Sequence, residues 1–160
     1  MKLFYLFIGC MLLSFGTQAQ NRYTKTIVDE TDSSIIEQVI YQDSIAIEST
    51  HYIYKYSGEL AVTVKYSYRE DGVVDTRTLE NFNNNQLTSR WQYSPDEYLL
   101  MEEHRKYDRQ GRLVNRKQTF YDGAYQDNIV EKRKYKGDIC KVTIYLNDEL
   151  KHEYTDKNGK

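Results

Sequence analysis

A tyrosine, a short turn-forming run and an aliphatic residue recur in that order along most of this 160-residue chain. The fullest version is Tyr107-Asp-Arg-Gln-Gly111-Arg-Leu113, and close variants are Tyr68-Arg-Glu-Asp-Gly72-Val-Val74 and Tyr93-Ser-Pro-Asp-Glu97-Tyr-Leu99. Compressed forms are Tyr56-Ser-Gly-Glu-Leu60, Phe82-Asn-Asn-Asn-Gln-Leu87, Tyr135-Lys-Gly-Asp-Ile139 and Tyr145-Leu-Asn-Asp-Glu-Leu150. Asp at the first turn position and Gly at the fourth suit a type I turn followed by a residue at positive φ. Pro95 falls at the second position, where a φ near −65° is wanted. Each unit therefore reads as a hairpin: an aromatic closes one strand and an aliphatic opens the next.

The intervals between successive aromatics set strand length. Four of them (68 to 82, 93 to 107, 107 to 121 and 121 to 135) are 14 residues, which leaves strands of nine or ten after the turn. Asn84-Asn85 and Gly137-Asp138 are expected as two-residue turns, and the Tyr121 unit as a longer one. Strands joined this tightly pair antiparallel, because parallel pairing needs a crossover of a dozen residues or more. The expected fold is all-β: an antiparallel meander of repeated hairpins in an extended, twisted sheet, with eight to ten strands after Tyr41. Before it, Tyr23-Thr-Lys-Thr-Ile27-Val28 reads as a strand. The density of β-branched residues at 35–40 favours a second strand over the helix that a Ser34-x-x-Glu37 capping box would open.

Alternation predicts little apolar burial in the middle of the chain. Over residues 99–107, one face is Leu99, Met101, Glu103, Arg105 and Tyr107, and the other is Leu100, Glu102, His104 and Lys106. Neither is an apolar stripe, which a packed sandwich would require. A single sheet with two wet faces is expected, held by cross-strand pairs and Lys/Arg–Glu ladders.

The units, Tyr107-Asp-Arg-Gln-Gly111-Arg-Leu113 and Thr155-Asp-Lys-Asn-Gly159-Lys160 above all, resemble YD (RHS-type) and MORN-type tyrosine–glycine hairpin repeats over residues 54–160. The chain is also similar to small exported, Tyr-rich Bacteroidota proteins of unknown function. The resemblance implies hairpins and export, and it implies no catalytic residue.

Lys2, the apolar run at residues 3–15 and the small side chains of Thr17 and Ala19 match a secretory signal. Residues 1–19 are then the signal and residues 20–160 a single β-repeat domain, exported to the periplasm or cell surface. The run is too short to span a bilayer, so no transmembrane segment is expected. A lipid-attachment box at Phe7-Ile-Gly-Cys10 is the weaker reading, because the apolar run continues through Cys10. After cleavage 21 basic and 24 acidic residues remain, a near balance that gives nucleic acid no electrostatic footing. Cys140 remains as the single thiol, so no intrachain disulfide forms; its alternation with Val142 and Ile144 makes it an inert buried residue.

His51, His104 and His152 lack metal-ligand spacing, no nucleophile motif is present, and the adjacent carboxylates Glu102 and Glu103 point to opposite strand faces. No enzyme and no cofactor is expected. The surplus of tyrosine is the one feature pointing to a ligand. Trp91, Tyr93, Tyr107 and Tyr121 are the candidates for stacking on a sugar ring or a partner's side chains. The expected function is an exported, non-enzymatic binding or structural module with an unknown protein or glycan partner. The alternatives are a carbohydrate-binding accessory protein and a small hydrolase-like enzyme using His104 with carboxylates. A charged strand at residues 149–154 is expected to form a protected edge and leave the protein a monomer.

Overall fold

The computed structural model describes residues 22–28 and 35–157. The expected signal and the final Asn158-Gly159 turn lie outside the described residues. Eleven strands are present: β1 (Arg22–Val28), β2 (Ile35–Gln42), β3 (Ile45–Tyr54), β4 (Leu60–Tyr68), β5 (Val74–Asn83) and β6 (Gln86–Tyr93). After these come β7 (Leu99–Tyr107), β8 (Leu113–Asp122), β9 (Tyr125–Lys136), β10 (Ile139–Leu146) and β11 (Glu149–Lys157). They form one sheet whose spatial order is the sequence order, each strand antiparallel to the next. Among the described residues there is no helix, and β1 does not meet β11, so the sheet is open. Ten inter-strand gaps make it about 48 Å wide at about 4.8 Å per gap. Residues 155–157, expected as part of a turn, instead extend β11.

Turn chemistry follows the sequence closely. The four long turns share one hydrogen-bond pattern, as when Gly111 N donates to Asp108 O at 3.0 Å and Asp108 N to Arg112 O at 2.9 Å. The residue before the last adopts positive φ in each: Gly58 (83°), Gly72 (78°), Glu97 (62°) and Gly111 (77°). Only Glu97 does so against the steric cost of a Cβ. The Asp108 carboxylate braces its turn by accepting from Gln110 N and Arg112 N. Two-residue turns come in two kinds. Asp43-Ser44, Asn84-Asn85 and Asn147-Asp148 have both residues at positive φ, as type I′ requires; Gly123 and Gly137 alone are positive in theirs, as type II′ requires. The Tyr121 unit thus has a short turn, contrary to expectation, because Gly123 supplies the needed φ directly.

The recurring aromatic marks a register shift. In seven of the nine described hairpins it opposes the aliphatic that opens the next strand: Tyr41↔Ala46, Tyr54↔Leu60, Tyr68↔Val74, Phe82↔Leu87, Tyr93↔Leu99, Tyr107↔Leu113 and Tyr145↔Leu150. One extra residue on the outgoing strand follows each pair, a β-bulge that increases local twist. Tyr54 fills this position rather than Tyr56, which lies fully exposed in the turn. The two hairpins with Gly-first turns have no shift, and there Tyr121 opposes Gln126 and Tyr135 opposes Cys140.

Register divides the side chains into two faces. The front carries Thr63, Glu80, Arg90, Glu103, Gln118 and Val142; the back carries Ser49, Trp91, Glu102 and Thr119. Aromatics fall into two rows at opposite ends of the sheet. Tyr41, Tyr68, Tyr93, Tyr121 and Tyr145 lie on the back at one end, and Tyr54, Phe82, Tyr107 and Tyr135 on the front at the other. Each strand touches only its sequence neighbours, so no second layer of described residues covers either face. Buried apolar residues are accordingly few: Val39, Leu87, Met101, Cys140 and Val142. Buried polar ones outnumber them, with Ser49, Thr50, Thr63, Glu80, Ser89, Glu103, Thr119 and Glu131. The front holds the larger share, including all three glutamates.

Candidate binding face

Glu80, Glu103 and Glu131 sit on alternate strands β5, β7 and β9, and the strands between supply cations. Glu80 accepts from Thr63 Oγ1 at 2.8 Å, Arg90 Nε at 2.8 Å and Lys65 Nζ at 3.1 Å. Burial alone pushes this carboxyl up, but those three bonds outweigh it and hold it below its ordinary 4.5. Glu103 is fully buried and accepts from Arg105 Nε and from Gln118 Nε2 at 3.1 Å, with Arg90 Nη1 at 3.5 Å. Glu131 accepts from Arg133 Nε and has Arg116 Nε at 3.9 Å. Arg116 Nη2 donates to Gln118 Oε1 at 2.7 Å, which joins the two halves of the network. In a sheet with no covering layer, these long side chains lie over the strands and act as the lid that apolar residues provide elsewhere.

Two stretches of this network are the same local motif. Glu103-His-Arg105-Lys-Tyr107 on β7 and Glu131-Lys-Arg133-Lys-Tyr135 on β9 place acid, arginine and tyrosine at alternate positions on the front. Each tyrosine hydroxyl then donates to a backbone carbonyl of the preceding strand: Tyr107 Oη to Leu87 O at 2.8 Å, and Tyr135 Oη to Leu113 O at 3.0 Å. Both bonds fall beyond the last paired residues, Ser89↔His104 and Asn115↔Lys132, so each hydroxyl satisfies a carbonyl that the ladder leaves behind. In both arginines burial lowers the pKa, but the hydrogen bonds and charge interactions with the glutamate two residues before and the tyrosine two residues after together outweigh it, and the net shift is upward.

The four aromatics proposed from sequence do not converge. Trp91, Tyr93 and Tyr121 share the back face, whereas Tyr107 stands on the front beside Arg105. Two of the rings already have partners. Arg77 lies over Tyr93 at 4.5 Å, and His104 meets Trp91 edge-on at 5.8 Å. Burial first, and then the Glu102 carboxylate, raise the Tyr121 hydroxyl's pKa. All four rings are half-buried. Tyr107 in addition bonds a carbonyl of the ladder, Leu87 O.

His104 Nε2 is 3.9 Å from Glu102 Oε2 on the back, and Glu103 is on the front, so the adjacent carboxylates cannot act together on one substrate. His51, His104 and His152 stand four strands apart on β3, β7 and β11, a separation of about 19 Å from one to the next. Among the described residues no group of three or more His, Cys, Asp or Glu side chains is placed to hold a metal ion. Cys140 is completely buried and free. A half-open groove of about 270 Å³ lies at one sheet end, lined by Gln42, Asp43, Ile45, Ile47, Tyr68 and Glu70.

Sequence reasoning passed over the Glu-x-Arg-x-Tyr pair. Its signal was present as an exact 28-residue repeat spacing, Glu103 to Glu131. No known protein family and no curated protein matches this chain.

Proposed function

We propose that the chain is an exported, non-enzymatic binding module that engages its partner through the front face of β6 to β9. One observation carries this reading. The arginines of that face keep a quarter to a third of their side-chain surface in solvent while the carboxylates that hold them are buried. A row of cations fixed in position, with its ordering cost already met in the free protein, is suited to recognition. The apolar run at residues 3–15 supports export, and the charged edge strand β11 supports a monomer.

Glycan and peptide arrays probed with the mature protein test the reading. Arg105→Gln with Arg133→Gln should abolish any signal, and Trp91→Ala with Tyr93→Ala should leave it. The opposite pattern would move the site to the back face. There Trp91, Tyr93 and Tyr121 share one face on β6 and β8, and a carbohydrate-binding accessory role is the reading they favour. Light scattering giving twice the monomer mass would remove the monomer assignment.

A further inference from the structure

We infer that Arg105 and Arg116, directly opposed on β7 and β8, with Arg133 on the diagonal from Arg116 on β9, form a site for the carboxylate groups of an acidic glycan. The inference rests on the front-face binding reading and names its ligand. Three guanidinium groups share two carboxylates there. Arg105 and Arg116 are directly opposed across the β7–β8 ladder, an arrangement in which like charges destabilise the sheet. Arg116 has its nearest carboxylate oxygen at 3.9 Å, on a Glu131 that Arg133 already engages. An external anion between Arg105 and Arg116 removes that repulsion.

Geometry selects the class of anion. Arg105 and Arg133 contact their glutamates through Nε, and each guanidinium also meets the hydroxyl of the tyrosine two residues on, Tyr107 or Tyr135. Side-chain exposures are 24%, 34% and 24% for Arg105, Arg116 and Arg133, against 1% and 10% for Glu103 and Glu131. Among these five side chains the part presented to solvent is thus mostly guanidinium, within a chain of net charge −2. A guanidinium fork matches a planar carboxylate with two parallel bonds. Arg105 and Arg116 repeat it about 5 Å apart across the ladder, Arg133 follows on the diagonal at about 8 Å, and the half-buried Tyr107 ring beside Arg105 is able to contact a pyranose. A nucleic acid is disfavoured because its affinity comes from neutralising many phosphates, and three arginines in a net-acidic protein offer too narrow a strip.

Calorimetry with a galacturonate oligomer and its methyl ester, of equal length, isolates the charge. The acid should bind, more weakly as salt rises, and the ester should not. Arg116→Gln should weaken binding roughly tenfold or more. Lys117→Gln removes a charge from the opposite face and should change nothing. Amide shift perturbations in the unaltered protein, on adding the acid, should centre on residues 105, 116 and 133, which locates the site without relying on a variant's fold. Equal binding of acid and ester would overturn the carboxylate site while leaving front-face binding intact. Absence of binding to either, equal weakening by Lys117→Gln, or tighter binding of a short single-stranded DNA than of the acid would each overturn the inference as well. The array experiment with the arginine variants decides the broader reading separately.

Discussion

Replacing Glu103 by glutamine tests whether the ionic network really substitutes for a core. Glutamine keeps the shape and one carbonyl oxygen, so no cavity opens and the change isolates charge. Two bonds, from Arg105 Nε and from Gln118 Nε2, lose a charged acceptor, at about 1 kcal/mol each, the difference between charged and neutral hydrogen bonds. The new amide N–H₂ also faces donors at a fully buried position. Satisfying it requires Gln118 to turn its amide over, which breaks the bond from Arg116 and costs about another 1 kcal/mol. Removing one partner of a buried ion pair costs about 3–5 kcal/mol. The expected value falls below that range because Arg90 and Arg105 are 31% and 24% exposed and regain water. About 2.5 kcal/mol is expected. Urea unfolding followed by Trp91 fluorescence should show a midpoint lower by about 1–2 M for a domain of this size. Glu102→Gln on the other face, 26% exposed, should change stability by no more than about 0.5 kcal/mol. Equal shifts for the two variants would refute the argument, since burial and bonding are all that separate these neighbours.

Tyr107→Phe and Tyr135→Phe should each cost about 1 kcal/mol, the worth of a hydroxyl-to-carbonyl bond, and amide exchange should accelerate locally where β6 meets β7 or β8 meets β9. Gly72→Ala should cost about 1 kcal/mol through its positive φ. Gly111→Ala should cost more by the same unfolding assay, because a Cβ there would lie 2.9 Å from Gln86 Nε2, which donates to Gly111 O. The Glu80 carboxyl is held below 4.5 in the folded chain, so its contribution to stability is present above that pH and is lost as pH falls through the folded value. Thr63→Val removes the first of the bonds responsible and should move the acid unfolding midpoint upward. Cys140, with no exposed surface, should react with a thiol reagent only once urea unfolds the sheet.

Local chemistry made the hairpins legible. Asp108 and Gly111 dictate their turn within four residues, and an aromatic facing an aliphatic needs only the adjacent strand. Faces were less legible, because alternation assumes an unbroken period of two and each bulge inserts a residue. Ile47, Ala61, Asp75, Thr88, Leu100, Val114 and Lys151 are the inserted positions. A face counted straight through any of them changes side. That is why Tyr93 and Tyr107, 14 residues apart, lie on opposite faces, and why the four stacking candidates do not form one surface. Residues 35–42 became a strand for a nonlocal reason, since β1 and β3 pair with them on both sides.

The network was hidden for a different reason. A charged residue alternating with charged residues reads as a solvated face, since isolated buried charges are costly. Here each charge has its partner on the same strand two residues away or on a neighbouring strand, and neither relation shows in composition or period. The physical demand comes from the architecture. Among the described residues, eleven strands in a single layer have no second sheet or helix to bury apolar side chains against, so a front of leucines and valines would lie open to water and to other chains. Long arginines bonded to glutamates at their base can cover backbone hydrogen bonds and keep polar tips outward. The need recurs at every second strand, and Glu80, Glu103 and Glu131 recur with it on β5, β7 and β9. Arg116 obeys that rule toward β9, where Glu131 is its direct cross-strand partner at 3.9 Å, but on its other side it faces Arg105 across the β7–β8 ladder, a like-charge pair that ladder stability alone does not favour.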